Sequence, residues 1–474
     1  MWLRRGLPVF FGTLLASVGI AACSGRSNGI PAKSADGPTS EGGTSGLDSA
    51  ASTDGALGGS GVGGAGGSGG TMPTVDSTTT KFVATSIAAG MYYTCAALSS
   101  GSVLCWGYNG LGQLGHDSTS KCGVGATGST DRGVPCSLTP IATSGITNAI
   151  SVAVDEDVWG HTCAVLKSGS VQCWGYNGSG ELGNGTTTDS SVPISVTGIS
   201  DAIAVAVGVK RTCAVLSSGT VQCWGKNSSG ELGNGTMTDS SVPVSVTGIS
   251  DAIAVATDGE PGANNGGEGV PGYHTCAVLR SGTVQCWGDN GNGELGNGIA
   301  TNSSVPVSVS GITNAVAVSG GGGHTCAVLS SGTVQCWGLN SDGELGNGGT
   351  TNSSVPVSVS GITNAIAVAT SGGHGGHTCA VLSGGSIQCW GLNNFAGQLG
   401  NGTTTGSSVP VPVTGITNAV AVTTGAFHTC AVLSGGSVQC WGLNTDGELG
   451  ITTTNGSVTV MQMNSFVPVA VSGF

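Results

Sequence analysis

Residues 325–329 (Thr-Cys-Ala-Val-Leu) and 333–337 (Thr-Val-Gln-Cys-Trp) are two short, β-branched, half-apolar runs separated by the turn chemistry of Ser330-Ser331-Gly332. That pattern predicts a β-hairpin with Gly332 in the left-handed position. A three-residue loop then pairs Leu329 with Thr333, Val328 with Val334, Ala327 with Gln335 and Cys326 with Cys336. Directly opposed residues lie about 4.5–5.5 Å apart, within disulfide reach. Two further runs, 315–318 (Ala-Val-Ala-Val) and 355–359 (Val-Pro-Val-Ser-Val), bring the strand candidates to four. The set recurs seven times, with spacings of 50 residues from Cys163 to Cys213 and from Cys276 to Cys326, and insertions elsewhere.

Short strands repeating at this period predict a propeller or an array, and four strands in each of seven repeats suit a closed ring. The expected fold is therefore all-β, a seven-bladed β-propeller of four-stranded blades. Loop lengths suggest where each blade begins. The link at 360–364 is short, as between neighbouring antiparallel strands, whereas about seventeen residues separate Trp-Gly from Val-Pro-Val, as for a crossing between blades. On that reading each blade starts on the Val-Pro-Val strand of the preceding repeat. The C-terminal strand at 466–471 joins the strands at 83–87, 94–98 and 102–106, so that N- and C-terminal strands close the ring in one blade.

Fourteen of the seventeen cysteines form seven such pairs: Cys95 with Cys105, Cys163 with Cys173, Cys213 with Cys223, Cys276 with Cys286, Cys326 with Cys336, Cys379 with Cys389 and Cys430 with Cys440. Cys122 and Cys136 share an insertion and make an eighth pair, which leaves Cys23 with a separate job. Zinc held by each pair and the His two residues before it is the alternative. It requires a reducing compartment and a fourth ligand, and Tyr93 and Arg211 interrupt the His position.

Arg4-Arg5, an uncharged and mostly apolar run over 6–22 and the ending Ile20-Ala21-Ala22-Cys23 read as a signal peptide over 1–22. Ile-Ala-Ala-Cys resembles the bacterial lipobox, which implies lipidation of Cys23 and a membrane-anchored lipoprotein outside the cytoplasm, where disulfides persist. Ser24 after the cysteine implies sorting to the outer membrane or cell surface. Residues 23–80 are rich in Gly, Ser, Thr and Ala, and form a tether with an end-to-end distance on the order of 40 Å. The propeller is expected over 81–474.

Composition narrows the partners. The net charge is −13 and becomes −15 once Arg4 and Arg5 are removed with the signal; charged residues are only 8% of the chain. Nucleic acid is excluded as a partner, because no Lys/Arg cluster exists to displace phosphate counterions. The 89 glycines favour tight turns over helices.

Gly323-His324-Thr325, Leu329, Gly332, Trp337-Gly338, Asn340, residues 343–348 (Gly-Glu-Leu-Gly-Asn-Gly) and Pro356 recur at fixed offsets. In these positions the chain over 82–474 resembles the regulator of chromosome condensation repeat family of seven-bladed propellers. The regular cysteine pair departs from the intracellular members. Members of that family include an exchange factor for a small GTPase, a plant UV-B photoreceptor and a secreted β-lactamase inhibitor, and fold alone does not transfer those activities.

Strand alternation sends the insertions to one face: 155–159, 258–273, 371–376 and 116–136. Insertions confined to one face mark a binding face. Asp155, Asp157, Trp159, Tyr273, Phe395 and Phe427 are its candidate contacts, since aromatics anchor interfaces. The repeated tryptophans and the histidines at 161, 274, 324, 377 and 428 are expected to be structural. The glutamates at 181, 231, 294, 344 and 448 alternate with Gln113 and Gln398, so their role is hydrogen bonding. Asn-x-Asp-Gly-Glu at 340–344 and 444–448 only faintly resembles a calcium loop. No catalytic constellation, metal site or cofactor is expected. The function expected is a non-enzymatic cell-surface lipoprotein binding an extracellular or envelope protein or glycan through the inserted-loop face. A secreted-type enzyme inhibitor, a guanine-nucleotide exchange factor and a hydrolase are the alternatives.

Overall fold

The computed structural model describes residues 81–117, 121–122, 134–257, 273–372, 376–451 and 464–474. Within these the chain forms seven antiparallel sheets. The fifth blade is typical: Ala315–Gly321 innermost, then His324–Leu329, Val334–Gly338 and Ser353–Ser358 outermost. Innermost strands of successive blades pack against one another all the way round, the first against the seventh.

The hairpin has the register expected from side-chain parity. Cys326 faces Cys336 and Val328 faces Val334, with Gly332 at φ +83°. All seven hairpins carry the expected disulfide. Cys95 is bonded to Cys105 and Cys163 to Cys173, each with Cα atoms 4.1 Å apart. Cys213 is bonded to Cys223, Cys276 to Cys286, Cys326 to Cys336, Cys379 to Cys389 and Cys430 to Cys440, each at 4.0 Å. These separations are shorter than the 4.5–5.5 Å of an unlinked opposed pair, because each bridge draws its two strands together. Thiolate zinc sites at these pairs are thereby set aside. Cys136 is disulfide-bonded; the side chain of Cys122 lies outside the described residues, as do Cys23 and the expected signal and tether.

The blade phase differs from the one expected. The Val-Pro-Val strand pairs with the Trp-Gly strand of its own repeat, Cys336 with Val357 and Gly338 with Ser353. Ser465–Ala470 pairs with Val438–Gly442 in the seventh blade, not with the N-terminal strands. The first blade is instead completed by Val134–Ala142 and widened by Lys121–Cys122. The long loop within each blade does not span a distance between blades; it folds over the next blade. Gly348 N–H donates to Ser408 O at 2.9 Å, and Leu345 shares a core with Val368, Ala380 and Trp390 of the sixth blade. The short link is the passage between blades.

Ring closure follows without a shared blade. Val471, Gly473 and Phe474 stand in the positions of Val359, Gly361 and Ile362, and Phe82 meets them across the seam. Across this seam Phe82 N–H donates to Gly473 O at 2.8 Å and Ala84 N–H to Gly436 O at 2.9 Å. The Phe474 ring lies 5.7 Å from Phe82 and 5.9 Å from Trp106.

The cores lie between blades. Each combines the second and third strands of one blade with the innermost strand and tryptophan of the next. Gly346 shows how tight the fit is, since a Cβ there would stand 2.7 Å from Trp390 Nε1.

The rim strands have their own chemistry. Ser353 Oγ donates to Val355 O at 2.7 Å and Pro356 has no N–H. The same serine bond recurs in every blade, at 2.6–2.7 Å from Ser137, Ser190, Ser240, Ser303, Ser407 and Ser465.

Candidate functional site

The repeat consensus builds a closed belt of side-chain hydrogen bonds from blade to blade. His274 Nε2 lies 2.7 Å from Thr325 Oγ1, His324 2.9 Å from Thr378, His377 2.8 Å from Thr429, His428 2.8 Å from Thr94 and His161 2.7 Å from Thr212. At the remaining two junctions Arg211 Nε donates to Thr275 at 3.4 Å, and Tyr93 Oη, 3.4 Å from Thr162, gives its proton to His161 O at 2.9 Å. Each threonine donates its proton to the carbonyl of the Glu or Gln in the preceding blade's long loop, as Thr325 does to Glu294 O at 3.1 Å. The neighbouring tryptophan donates to the same oxygen, Trp337 Nε1 at 2.7 Å. Because the threonine proton is committed there, the histidines must donate from Nε2.

Burial sets the protonation of the belt. The imidazoles of His274, His324, His377 and His428 are pushed down to about 3, burial being the largest cause. The carboxyls of Glu294, Glu181, Glu344 and Glu448 are pushed up, by burial first, to about 6, 7, 7 and 8. Their Oε2 atoms accept the backbone N–H two residues earlier, as Glu344 does from Asp342 at 2.9 Å. Gln113 Oε1 takes the same bond from Leu111 N–H. Carboxyl and carboxamide thus make the same backbone hydrogen bond at this position.

One blade departs from the repeat. Asp155 Oδ2 lies 3.1 Å from His161 Nδ1, on the far side of the ring from Thr212. The order Asp-His-hydroxyl has the connectivity of a nucleophilic triad. All three groups are fully buried, however, and the Thr212 proton is held by Glu181 O at 3.0 Å. The Asp155 carboxylate also accepts Asp157 N–H at 3.0 Å and Lys210 N–H at 3.2 Å, which fixes the inserted loop to the third blade. The calcium-like segment is likewise occupied: Asn340 Oδ1 accepts Leu345 N–H, and among the described residues no His/Cys/Asp/Glu group is placed to hold a metal.

Among the described residues the long loops and the inserted loop at 155–159 share one face; the tight hairpin turns and short links share the other, where Ser330 N–H donates to Asn314 O. On the loop face Phe395 is 63% and Trp159 49% exposed, and Phe427 is half-buried. Asp155, Asp157 and Tyr273 are buried and shape the loops from below; burial and the Asp155 charge push the Asp157 carboxyl up to about 6. Tyr273 lies beneath Lys226, whose Nζ is 4.6 Å from the ring centroid. Residues 258–272 and 373–375 lie outside the described residues. Glu156 reaches from the second blade to accept the N–H of Gly372 in the sixth, so the loops meet over the centre of the ring.

Three loop-face aromatics, Tyr92, Tyr108 and Tyr176, are absent from the sequence-based set. Tyr92 continues the line Phe395–Phe427 at 6.5 Å from Phe427, Tyr108 stands 6.5 Å beyond, and Tyr176 lies 5.6 Å from Trp159. A signal for them exists, because these rings occupy two variable slots. The one before the His position holds Gly160, Gly323 and Gly376 but also Lys210, Tyr273 and Phe427, and the one after Trp-Gly holds Leu339, Leu392 and Leu443 but also Lys226 and Asp289.

The Regulator of chromosome condensation (RCC1) repeat model matches residues 168–215, 218–257, 281–328, 331–381 and 385–432. A second model of that description matches 84–113, 202–231, 315–344 and 419–448. The ultraviolet-B receptor UVR8 of Arabidopsis thaliana is 33% identical over 77% of this chain and 66% of its own length. The mitochondrial RCC1 domain-containing protein RUG3 of the same plant is 29% identical over 50% of this chain and 49% of its own. The chain thus spans about two thirds and half of these relatives. Among solved structures, yeast RCC1 (Prp20) bound to Kap60 superposes with TM-score 0.58 at 18% identity over 83% of this chain and 86% of that one. Saccharomyces cerevisiae Prp20p, described with its binding to Gsp1p and histones, gives 0.59 at 18% identity over 85% and 90%. Repeat offsets, sheet order and sequence models agree: the chain belongs to the RCC1 repeat family.

Proposed function

We propose that this propeller is a non-enzymatic binding module, held at a cell surface through a lipidated Cys23 and the 23–80 tether, that takes a protein or glycan on its loop face. One observation carries the reading. Among the described residues, the inserted loop at 155–159 and the exposed rings of Trp159 and Phe395 fall on that face, while the opposite face is built from tight turns and short links, with Phe82 at the ring seam as its exposed ring. Yeast Prp20p, a relative in fold, is described as binding Gsp1p and histones. The lipobox-like Ile-Ala-Ala-Cys and the seven disulfides favour a partner outside the cytoplasm, which makes enzyme inhibition the closer rival and GTPase exchange the more distant one.

The test is photo-crosslinking in the native envelope, with the reactive residue at Trp159 or Phe395 on the loop face or at Ser331 on the turn face. Discrete adducts from Trp159 and Phe395 alone are expected. Equal adducts from Ser331, or none from the loop face, would overturn the proposal.

A further inference from the structure

Phe395, Phe427, Tyr92 and Tyr108 form a continuous ladder over the sixth, seventh and first blades, with successive centroids 6.4, 6.5 and 6.5 Å apart. An extended polypeptide places alternate side chains of one face about 6.4–6.8 Å apart. Tilts of 34°, 32° and 58° between successive rings make the ladder stepped, not a flat shelf of the kind that stacks sugar rings. Its electrostatic setting is one-sided. No Lys or Arg occurs after Arg280, so the fifth to seventh blades contain no Lys or Arg. Asp446 stands in the seventh blade's long loop; at the first blade Lys121 is exposed beside Pro135 and Asp117 accepts from Ser191 of the second blade at 3.4 Å, so the acidic part of the track is its seventh-blade part.

From this spacing and charge we infer that the ladder is a docking track for an extended segment of a protein partner, with apolar side chains at alternate positions and Lys or Arg between them. The inference rests on the loop-face reading above and adds its occupant. Apolar side chains seat between successive rings, and the intervening cations face Asp446 and the Lys/Arg-free fifth to seventh blades, an arrangement that gives affinity at the rings and orientation along the track.

Fluorescence anisotropy with a labelled peptide of alternating Leu and Lys, on the intact chain, tests it. Binding is expected, with loss on the order of tenfold or more in the Phe395→Ala/Phe427→Ala variant. Ser331→Ala, on the turn face, should change affinity less than about twofold, on the scale of a residue outside the interface. A Leu/Glu peptide should not bind at the same concentration. Equal binding by a peptide of the same composition with its leucines in one block would overturn the inference, as would retention of affinity in the double variant or displacement by cellotetraose. These failures leave crosslinking at Trp159 untouched, so they separate the occupant from the use of the face.

Discussion

Replacing Glu448 by Gln should stabilise the protein at neutral pH and do much less in acid. The carboxyl is fully buried; it accepts Asp446 N–H at 2.9 Å through Oε2 and bonds Thr445 Oγ1 at 3.2 Å through Oε1. Its folded value is pushed up to about 8 from 4.5, by burial first and then by the Asp446 charge. Between those limits the folded chain holds a proton that the unfolded chain has released, so stability falls as pH rises from about 4.5 and levels off above about 8. The penalty from this one group is about 1 kcal/mol at pH 5 and about 3 kcal/mol at pH 7. Gln keeps the acceptor for Asp446 and offers an N–H toward Thr445 without a charge to bury; Gln113 already accepts the equivalent backbone bond at 2.9 Å. Urea unfolding of both proteins at the two pH values should therefore show the variant gaining about 2 kcal/mol more at pH 7 than at pH 5. An equal gain at both would refute the reasoning, because it would mean that the carboxyl's charge state is the same in folded and unfolded chains.

The four depressed histidines act in the opposite direction. Stability is lost as pH falls from 6.5 toward about 3, so the unfolding free energy should be flattest between about 4.5 and 6.5, where carboxyl and imidazole slopes offset each other, and decline on both sides. Removing one staple as Cys326→Ala/Cys336→Ala opens a loop of ten-residue separation and should cost about 3 kcal/mol, read from the shift in denaturation midpoint under non-reducing conditions. Trp337→Phe deletes one donor to Glu294 O, leaves Thr325 on it and should cost about 1–2 kcal/mol by the same measurement. Deleting Phe474, 8% exposed, should cost about 3 kcal/mol, and hydrogen exchange should rise in the first and seventh blades before the fourth.

Strand register and disulfide pairing are legible because parity decides them: a three-residue turn admits one pairing of Cys326 with Cys336, and the same turn repeats the result from Cys95 with Cys105 round to Cys430 with Cys440. Blade phase is not legible from loop length, because a long loop need not span a distance. The loop after Gly338 is long because it delivers the Glu344 carbonyl to Thr378 and Trp390 of the next blade, at 3.1 and 2.8 Å, a requirement visible only once the blades stand side by side. At the loop face, Trp159 and Phe395 are exposed as their non-consensus positions suggest. Asp155 is buried because an unusual partner, His161 Nδ1, faces it, and no spacing rule reports which ring nitrogen is free. Tyr92, Tyr108 and Tyr176 sit within the repeat itself, at slots that vary from Gly or Leu to Lys210 and Asp289, so that no insertion or fixed offset distinguishes them.

The rim carries a consequence for crowding. A β-edge polymerises by lending its N–H and C=O groups to a neighbour's strand. Here the serine hydroxyl has already claimed a rim carbonyl and proline has deleted a rim donor, seven times around the circumference. Two such discs pressed together at high density gain little from strand exchange, and remain separate particles whose contacts are left to the faces. Changing Pro356 to Thr would give the rim back one donor, and repeating the change around the ring would turn a discrete disc into a potential building block for fibres.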